Sequence, residues 1–149
     1  MQDIITCQIE SITFEELLHY MRFQANEAFP SLRDENRLLT FATKLHDNAE
    51  FCLYRDEGKV VGMIAFYANR RGASFAYIPH IYVEPKYRGL GVFSQMLHKI
   101  EDYVKSKGFS EIKLEVNKNN QRAQHAYHNH GFIESNEASA SSIYMYKVL

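Results

Sequence analysis

The most constraining feature of this sequence is a short segment, Val83–Ser94, that holds a strand end, a glycine turn and a helix start. Gly89 and Gly91 lie in the turn, and from Val92 onward apolar residues recur at the spacing of an amphipathic helix. The first turn of a helix leaves backbone N–H groups without partners at the positive end of the helix dipole. Because glycines allow close approach to that backbone, the segment predicts a site for a phosphate or pyrophosphate.

Two common phosphate-binding patterns do not occur in this segment. No Gly-x-Gly-x-x-Gly follows the strand, which excludes the dinucleotide-binding fingerprint, and no Gly-Lys-Ser/Thr occurs, which excludes a P-loop. Arg88 and Ser94 are the candidate side-chain donors beside the turn.

The hydropathy pattern predicts a mixed α/β (α+β) chain with the element order βααβββαβαβ. The predicted strands are Ile4–Ile9, Phe51–Tyr54, Lys59–Ala68, Ala73–Val83, Ile112–Val116 and Ile143–Val148. The predicted helices begin at Thr13, after the interruption at Phe29–Ser31, at Gly91 and at Asn119 or Asn120, the last two ending near Gly108 and Gly131. Turns are predicted at Asp56–Gly58 and Arg70–Gly72. No repeat or linker divides the chain, so we predict one domain, residues 1–149, with a mixed sheet and helices on its faces.

The net charge and the length of the apolar runs argue against a nucleic-acid-binding protein and against a membrane protein. The 149 residues carry 17 Lys and Arg against 18 Asp and Glu, so no basic field attracts nucleic acid or an anionic membrane. The most apolar run, Val60–Ala68, is too short for a membrane span, which needs roughly 20 residues. Cys7 and Cys52 lack disulfide or metal spacing, and the N-terminus has no signal-peptide pattern. These features predict a soluble, cytoplasmic protein.

A second patterned helix follows about thirty residues after the glycine turn. Asn120, Ala123 and Tyr127 are spaced i, i+3 and i+7, which places them on one helical face, and Gly131 ends the helix. The small Ala123 permits close packing, and Tyr127 brings a hydroxyl group to that face.

Together these two segments resemble the GNAT superfamily of acyl-CoA-dependent N-acetyltransferases. Arg88–Phe93 matches its motif A, Arg/Gln-x-x-Gly-x-Gly/Ala, apart from the last position. Asn120, Ala123, Tyr127, Gly131 and Phe132 complete its motif B, and Tyr144–Lys147 resembles its last strand. The resemblance is close from Ala73 to the C-terminus and limited to element order before it. It implies a mostly antiparallel sheet and acetyl-CoA as the acyl donor.

The resemblance also implies roles for individual residues. Pantetheine would enter between splayed strands and pair with the backbone of Ile81, Tyr82 and Val83. The pyrophosphate would lie on the amides of Arg88, Gly89, Leu90, Gly91, Val92, Phe93 and Ser94, and Asn120 would contact the cosubstrate. Acetyl transfer to a bound amine would be direct, through a tetrahedral intermediate. Tyr127 would act as general acid, giving a proton to the departing thiolate, and a backbone N–H near Ile81–Val83 would polarise the thioester carbonyl.

Two positions depart from the family pattern. Phe93 stands where Gly or Ala is usual, and we expect its ring to turn toward Leu97 because the two share an apolar helix face. Tyr77 occupies the position of the usual base on the preceding strand. We therefore rank a water molecule first as base, His80 second and Tyr77 third. On a regular strand His80 would face away from Tyr77, and a β-bulge would bring both to one face.

The acceptor is predicted to be a small-molecule amine that binds near Phe29–Arg33, with Tyr20 and Phe23 close by. We expect no nucleic-acid partner, no membrane partner and no metal, since His125, His128 and His130 lack a completing carboxylate. A homodimer is left open. The alternative to an enzyme is a non-catalytic acyl-CoA-binding or sensor domain, and a third interpretation is an interaction domain without the cosubstrate.

Overall fold

The computed structural model describes residues 4–69 and 74–149. Its strands are β1 (Ile5–Ile9), β2 (Glu50–Asp56), β3 (Lys59–Tyr67), β4 (Phe75–Val83), β5 (Glu111–Asn117), β6 (Ile133–Ala138) and β7 (Ser142–Val148). Its α-helices are α1 (Phe14–Glu27), α2 (Glu35–Asn48), α3 (Val92–Ser106) and α4 (Gln121–Asn129), with short 3-10 turns at Pro30–Arg33 and Pro85–Tyr87.

All seven strands of the described chain join one sheet in the order β1-β2-β3-β4-β5-β7-β6. Every neighbouring pair is antiparallel except β4 and β5, which run parallel. A parallel pair needs a crossover connection, and α3 provides it between β4 and β5. The mixed, mostly antiparallel sheet flanked by helices confirms the predicted fold class.

Local capping interactions begin and end the helices where the sequence predicts them. The Thr13 side chain accepts a hydrogen bond from the Glu16 amide, and the Asn120 side chain accepts one from the Ala123 amide. Gly108 follows α3 with a φ of 92°, a conformation that favours glycine at a helix end.

Helices cover the sheet on both faces. The α3 face that contains Met96, Leu97, Ile100 and Val104 is buried against one face, with α4 beside it. The α1 and α2 helices bury the other face over β2, β3 and β4. Gly62 lets α3 lie close to β3, because a Cβ atom there would stand only 3.1 Å from a methyl group of Val92.

The parallel strands β4 and β5 separate partway along their length. Their pairing runs from Phe75 opposite Glu111 to Ile78 opposite Leu114, and both strands continue beyond it. The Glu84 amide donates to the Val61 carbonyl of β3, so the trans peptide directs the Val83 carbonyl away from β3, into the gap. The alternation of an antiparallel ladder directs the backbone groups of Ile81 the same way. The strands therefore splay at the place that the resemblance implied.

A β-bulge changes which face the middle of β4 presents. Tyr77 pairs with Tyr67 and His80 pairs with Ala65, so two β4 residues, Ile78 and Pro79, lie opposite one residue of β3. Ile78 packs on the α3 side, whereas His80 contacts α1 and α2. The bulge that His80 needed to share a face with Tyr77 is therefore present.

The sequence prediction missed one strand, β6. Its residues, Ile133–Ala138, are almost all exposed and lack the alternation of apolar and polar side chains that signals a half-buried strand. Pairing with β7 at both ends of β6, with an irregular register between, holds it in the sheet. The predicted turn at Arg70–Gly72 and the predicted strand start at Ala73 lie outside the described residues.

Candidate active site

The glycine turn before α3 presents its backbone to open space. Gly89 and Gly91 have φ values of 77° and 81°, and nothing lies within 4 Å of a Cβ position at Gly89. Gly91 is the N-cap of α3, and the first turn carries no acidic residue. Among residues 4–69 and 74–149, no group accepts from the amides of Val92, Phe93 or Ser94. The residues present therefore fit a pyrophosphate group.

Arg88 is already partnered within the protein. Its amide donates to the Pro85 carbonyl at 3.2 Å, and its Nε atom donates to the Val83 carbonyl at 2.9 Å. Its guanidinium pairs with Glu27 at 3.1 Å and lies 5.8 Å from the centre of the Tyr82 ring. Arg88 thus covers a carbonyl at the mouth of the gap, and a contact from Arg88 to a ligand would have to replace some of these interactions.

The Phe93 ring packs between α3 and α4. It lies against the core cluster that contains Leu97, and its centre is 5.7 Å from the Tyr127 ring and 5.0 Å from the His130 ring. The ring is directed at protein on these sides, so motif A and motif B are joined by an aromatic contact.

Tyr127, on α4, has an aromatic environment and a free hydroxyl group. Its ring also lies 6.1 Å from the Phe132 ring, and no described residue forms a hydrogen bond with its hydroxyl. Burial raises the pKa of Tyr127 to about 12. The phenol therefore keeps its proton at neutral pH, as a proton donor must.

Asn120 serves as the N-cap of α4, because its Oδ1 atom accepts from the Ala123 amide at 3.1 Å. This bond fixes the start of the helix that carries Tyr127. A contact between Asn120 and the cosubstrate stays a prediction.

The surroundings of His80 disfavour its role as base. The side chain is buried between Phe29 and Phe41, whose ring centres lie 4.9 Å and 5.5 Å away. Its Nε2–H donates to the Gln24 side-chain oxygen at 2.5 Å. Burial lowers the pKa of His80 to about 4, so the imidazole is neutral and holds a proton weakly.

This burial predicts a pH dependence of stability. In the unfolded chain His80 gains a proton near its usual pKa of 6.5, whereas in the folded chain it does so only near 4. The unfolded state then binds more protons between these values, so stability falls as pH falls through this window, by at most about 3 kcal/mol. Urea unfolding measured at pH 7.5 and at pH 4.5 gives the free energy of unfolding at each pH. Between these two values the parent protein should lose more of this free energy than His80→Gln does. Equal losses would contradict this prediction.

One acidic residue that no sequence motif singles out lies at the gap. Glu115 is the first β5 residue beyond the last β4–β5 pair, and Tyr144 of β7 lies opposite it. The pKa of Tyr77 is raised to about 12, first by burial and then by the Glu115 carboxylate, with which its hydroxyl interacts. Because Ile112, Leu114 and Val116 alternate with Lys113 and Glu115, the strand pattern places Glu115 on the face away from the core. The splay, which a periodicity argument does not reveal, brings it to the gap.

Other features of the described residues bear on site chemistry. No group of three or more His, Cys, Asp or Glu residues in ranges 4–69 and 74–149 could hold a metal ion. Within the same ranges no helix has the length and apolar character needed to cross a bilayer.

A sheet that opens between a parallel pair of strands, beside a glycine-capped helix, defines the acyl-CoA N-acyltransferase fold. Residues 13–132 match the acetyltransferase (GNAT) family, and the chain belongs to that family.

Relatives and solved structures agree with this assignment. A thialysine N-epsilon-acetyltransferase from Bos taurus is 37% identical over 62 residues, which is 42% of this chain and 36% of that protein's length. The PaiA N-acetyltransferase from Thermoplasma acidophilum, in complex with coenzyme A, superposes with a TM-score of 0.74 at 18% identity, covering 98% of this chain and 99% of that one. A GNAT-family acetyltransferase from Staphylococcus aureus Mu50 gives 0.74 at 20% identity, with 98% and 99% covered. At these identities the structures share the fold.

Proposed function

We propose that this protein is an acetyl-CoA-dependent N-acetyltransferase that transfers the acetyl group directly to a primary amine of a small acceptor. The observation that carries the proposal is the gap between β4 and β5. At one end it meets the uncapped amides of α3, and Glu115 lies where it opens. Such a gap suits a long, thin cosubstrate with an anionic end and a reactive thioester end.

Residues of the turn and the gap would hold acetyl-CoA, which supplies an activated acetyl thioester. The amides from Gly89 to Ser94 would bind the pyrophosphate, since they combine free N–H groups with the positive end of a helix. The backbone groups of Ile81 and the Val83 amide would pair with the pantetheine arm, because they point away from β3. The Val83 carbonyl would join them only if Arg88 released it. The Tyr82 backbone alternates toward β3, so its part would be to shape the strand.

Proton transfer would involve two residues on different elements. Tyr127 would donate its phenolic proton to the departing thiolate, which has a reference pKa of about 8.5. Glu115 would take the proton that the acceptor ammonium loses, directly or through a water molecule. Tyr77, whose hydroxyl interacts with that carboxylate, would orient it.

The open sheet face around Glu115 supports an amine acceptor. Tyr77 and Tyr144 flank the carboxylate, and aromatic faces beside a carboxylate attract ammonium ions. The bovine relative's name specifies an N-epsilon-amine of a lysine analogue, which is consistent with a small primary amine. We also propose that the 149 residues form one catalytic domain that acts in the cytoplasm on small molecules.

Two measurements test this function. Acetyl-CoA at about 100 times its Kd should stabilise the protein by roughly 2.7 kcal/mol, seen as a rise in Tm. Free thiol should then appear when primary amines are added to the protein with acetyl-CoA. A Tm rise without thiol release from any amine of a broad panel would favour the acyl-CoA-binding or sensor domain. No Tm rise would contradict both proposals.

A further inference from the structure

A cavity of about 230 Å³ lies between α1, the start of β3 and the end of β4. Tyr20 and Phe23 of α1 line it on one side, and Lys59 and Glu84 line it on the other. Glu84 directly follows β4 and precedes the short 3-10 turn that leads to the glycine turn. The sequence predicted that the acceptor amine binds near Phe29–Arg33, with Tyr20 and Phe23 close by, whereas the acetyl transfer proposed above places the acceptor at Glu115. In that proposal these lining side chains take no part in the transfer.

Two polar groups at this cavity are buried without partners. Glu84 is 6% exposed and Tyr20 is 7% exposed. Neither the Glu84 Oε2 atom nor the Tyr20 hydroxyl has a hydrogen-bond partner in the part of the chain that the structure describes. Leaving a buried carboxylate oxygen unpaired is costly, so this site calls for a hydrogen-bond donor with a positive charge.

The protein's own cations do not fill this need within ranges 4–69 and 74–149. Glu84 forms no ion pair there. Burial raises its pKa, and the more distant charges of Lys59 and Lys86 oppose that rise. The other lining carboxylate, Glu16, is already paired with Arg55 at 3.1 Å. Glu84 is therefore the lining carboxylate that has no ion-pair partner of its own within the described residues.

Two aromatic side chains of α1 form one wall of the cavity. The Tyr20 and Phe23 rings stack with centres 6.1 Å apart, and the Tyr82 ring meets Tyr20 edge-on at 5.9 Å. Phe23 is 47% exposed, so one side of this aromatic group faces solvent. Aromatic faces attract organic cations, and their apolar surface accepts the alkyl part of such a ligand.

We propose that the cavity is a binding site for a small organic ammonium ion. The ammonium group would supply the missing partner of the Glu84 carboxylate and the Tyr20 hydroxyl, whose enclosed oxygens must turn toward the cavity to reach it. The rings of Tyr20 and Phe23 would contact its alkyl chain. The site is separate from the acceptor site around Glu115. Tyr77 and Glu84 stand seven residues apart on the chain, which is about 20 Å along an extended strand. A ligand in this cavity would contact the end of β4, close to the glycine turn.

The test titrates ¹⁵N-labelled protein with butylammonium chloride and follows the amide signals of Val60 and Glu84 by NMR. We expect saturable shifts with a Kd on the order of 1 mM, as suits so small a ligand. Butanol and sodium butyrate, which share the alkyl chain and lack the positive charge, should cause no saturable shift. Absence of saturation with butylammonium, or equal shifts with butanol, would overturn the proposal.

Matched variants localise the binding. Glu84→Gln should weaken butylammonium binding at least tenfold, Tyr20→Phe should weaken it a few-fold, and Lys59→Gln should strengthen it by removing a like charge. Glu134→Gln, which neutralises an exposed carboxylate on β6, should leave the Kd unchanged. Glu115→Gln should also leave it unchanged, which separates this site from the acceptor site and from the success of the proposed function. Loss of binding in Glu115→Gln with retention in Glu84→Gln would refute the assignment.

Discussion

Replacing Tyr127 by phenylalanine is expected to lower kcat by roughly 10²–10³-fold while acetyl-CoA binds as tightly as before. The variant keeps the ring, and with it the contacts to Phe93 at 5.7 Å and Phe132 at 6.1 Å, so the packing of α4 on α3 should survive. The variant loses only the hydroxyl group. No described residue forms a hydrogen bond with this group, and its pKa of about 12 keeps it protonated at neutral pH. The loss should therefore fall on the departure of the thiolate and not on binding.

The measurement is a steady-state assay of free thiol, with the acetyl-CoA-induced Tm rise recorded for each protein. Tyr103→Phe is the matched control. Tyr103 lies near the end of α3, far from the glycine turn, and its hydroxyl donates a hydrogen bond to Glu50 of β2. That variant should keep its kcat even if it is less stable. If Tyr127→Phe turned over at the parent rate, the proton would come from another donor and the role assigned to Tyr127 would be wrong.

The parts of the site that lie within one local segment were predictable from the sequence. A strand end, the glycines at 89 and 91 and the apolar repeat after Val92 depend on neighbours a few residues away, and so does the capping of α4 by Asn120. These interactions are short-range, and their residue preferences are strong. The order of such segments predicted a mixed sheet with helices on its faces, and the family resemblance implied that the sheet is mostly antiparallel.

The missed features depend on contacts between distant segments. The β6 strand has few buried side chains, and its pairing with β7 holds it in the sheet. The bulge at Ile78–Pro79 depends on the register with β3, and only that register decides that His80 turns into the core and becomes a poor base. The partners of Arg88 on β4 and α1 are equally non-local. The position of Glu115 at the gap is non-local as well, because it depends on where the pairing of β4 with β5 ends.

Glu115→Gln is expected to lower kcat/KM by about 10²-fold at pH 7, and this deficit should shrink as pH rises. An alkylammonium acceptor with a pKa of about 10.4 is almost fully protonated at neutral pH and needs a base before it can attack. At higher pH more of the acceptor arrives already deprotonated, so the missing carboxylate matters less. Glutamine keeps the size of the side chain and a hydrogen-bonding oxygen for Tyr77, so acetyl-CoA should raise the Tm as it does for the parent.

The decisive observation is the shape of the pH–rate profile and not the rate at one pH. If Glu115 accepts the proton, the ratio of parent to variant kcat/KM should fall steadily between pH 7 and pH 9.5. A carboxylate that only attracts the ammonium would instead raise KM for the charged amine with kcat nearly unchanged. Glu134→Gln, on the exposed β6, should follow the parent profile throughout. A parent-like profile for Glu115→Gln would return the role of base to a water molecule, because His80 is buried and its lowered pKa makes it a weak base.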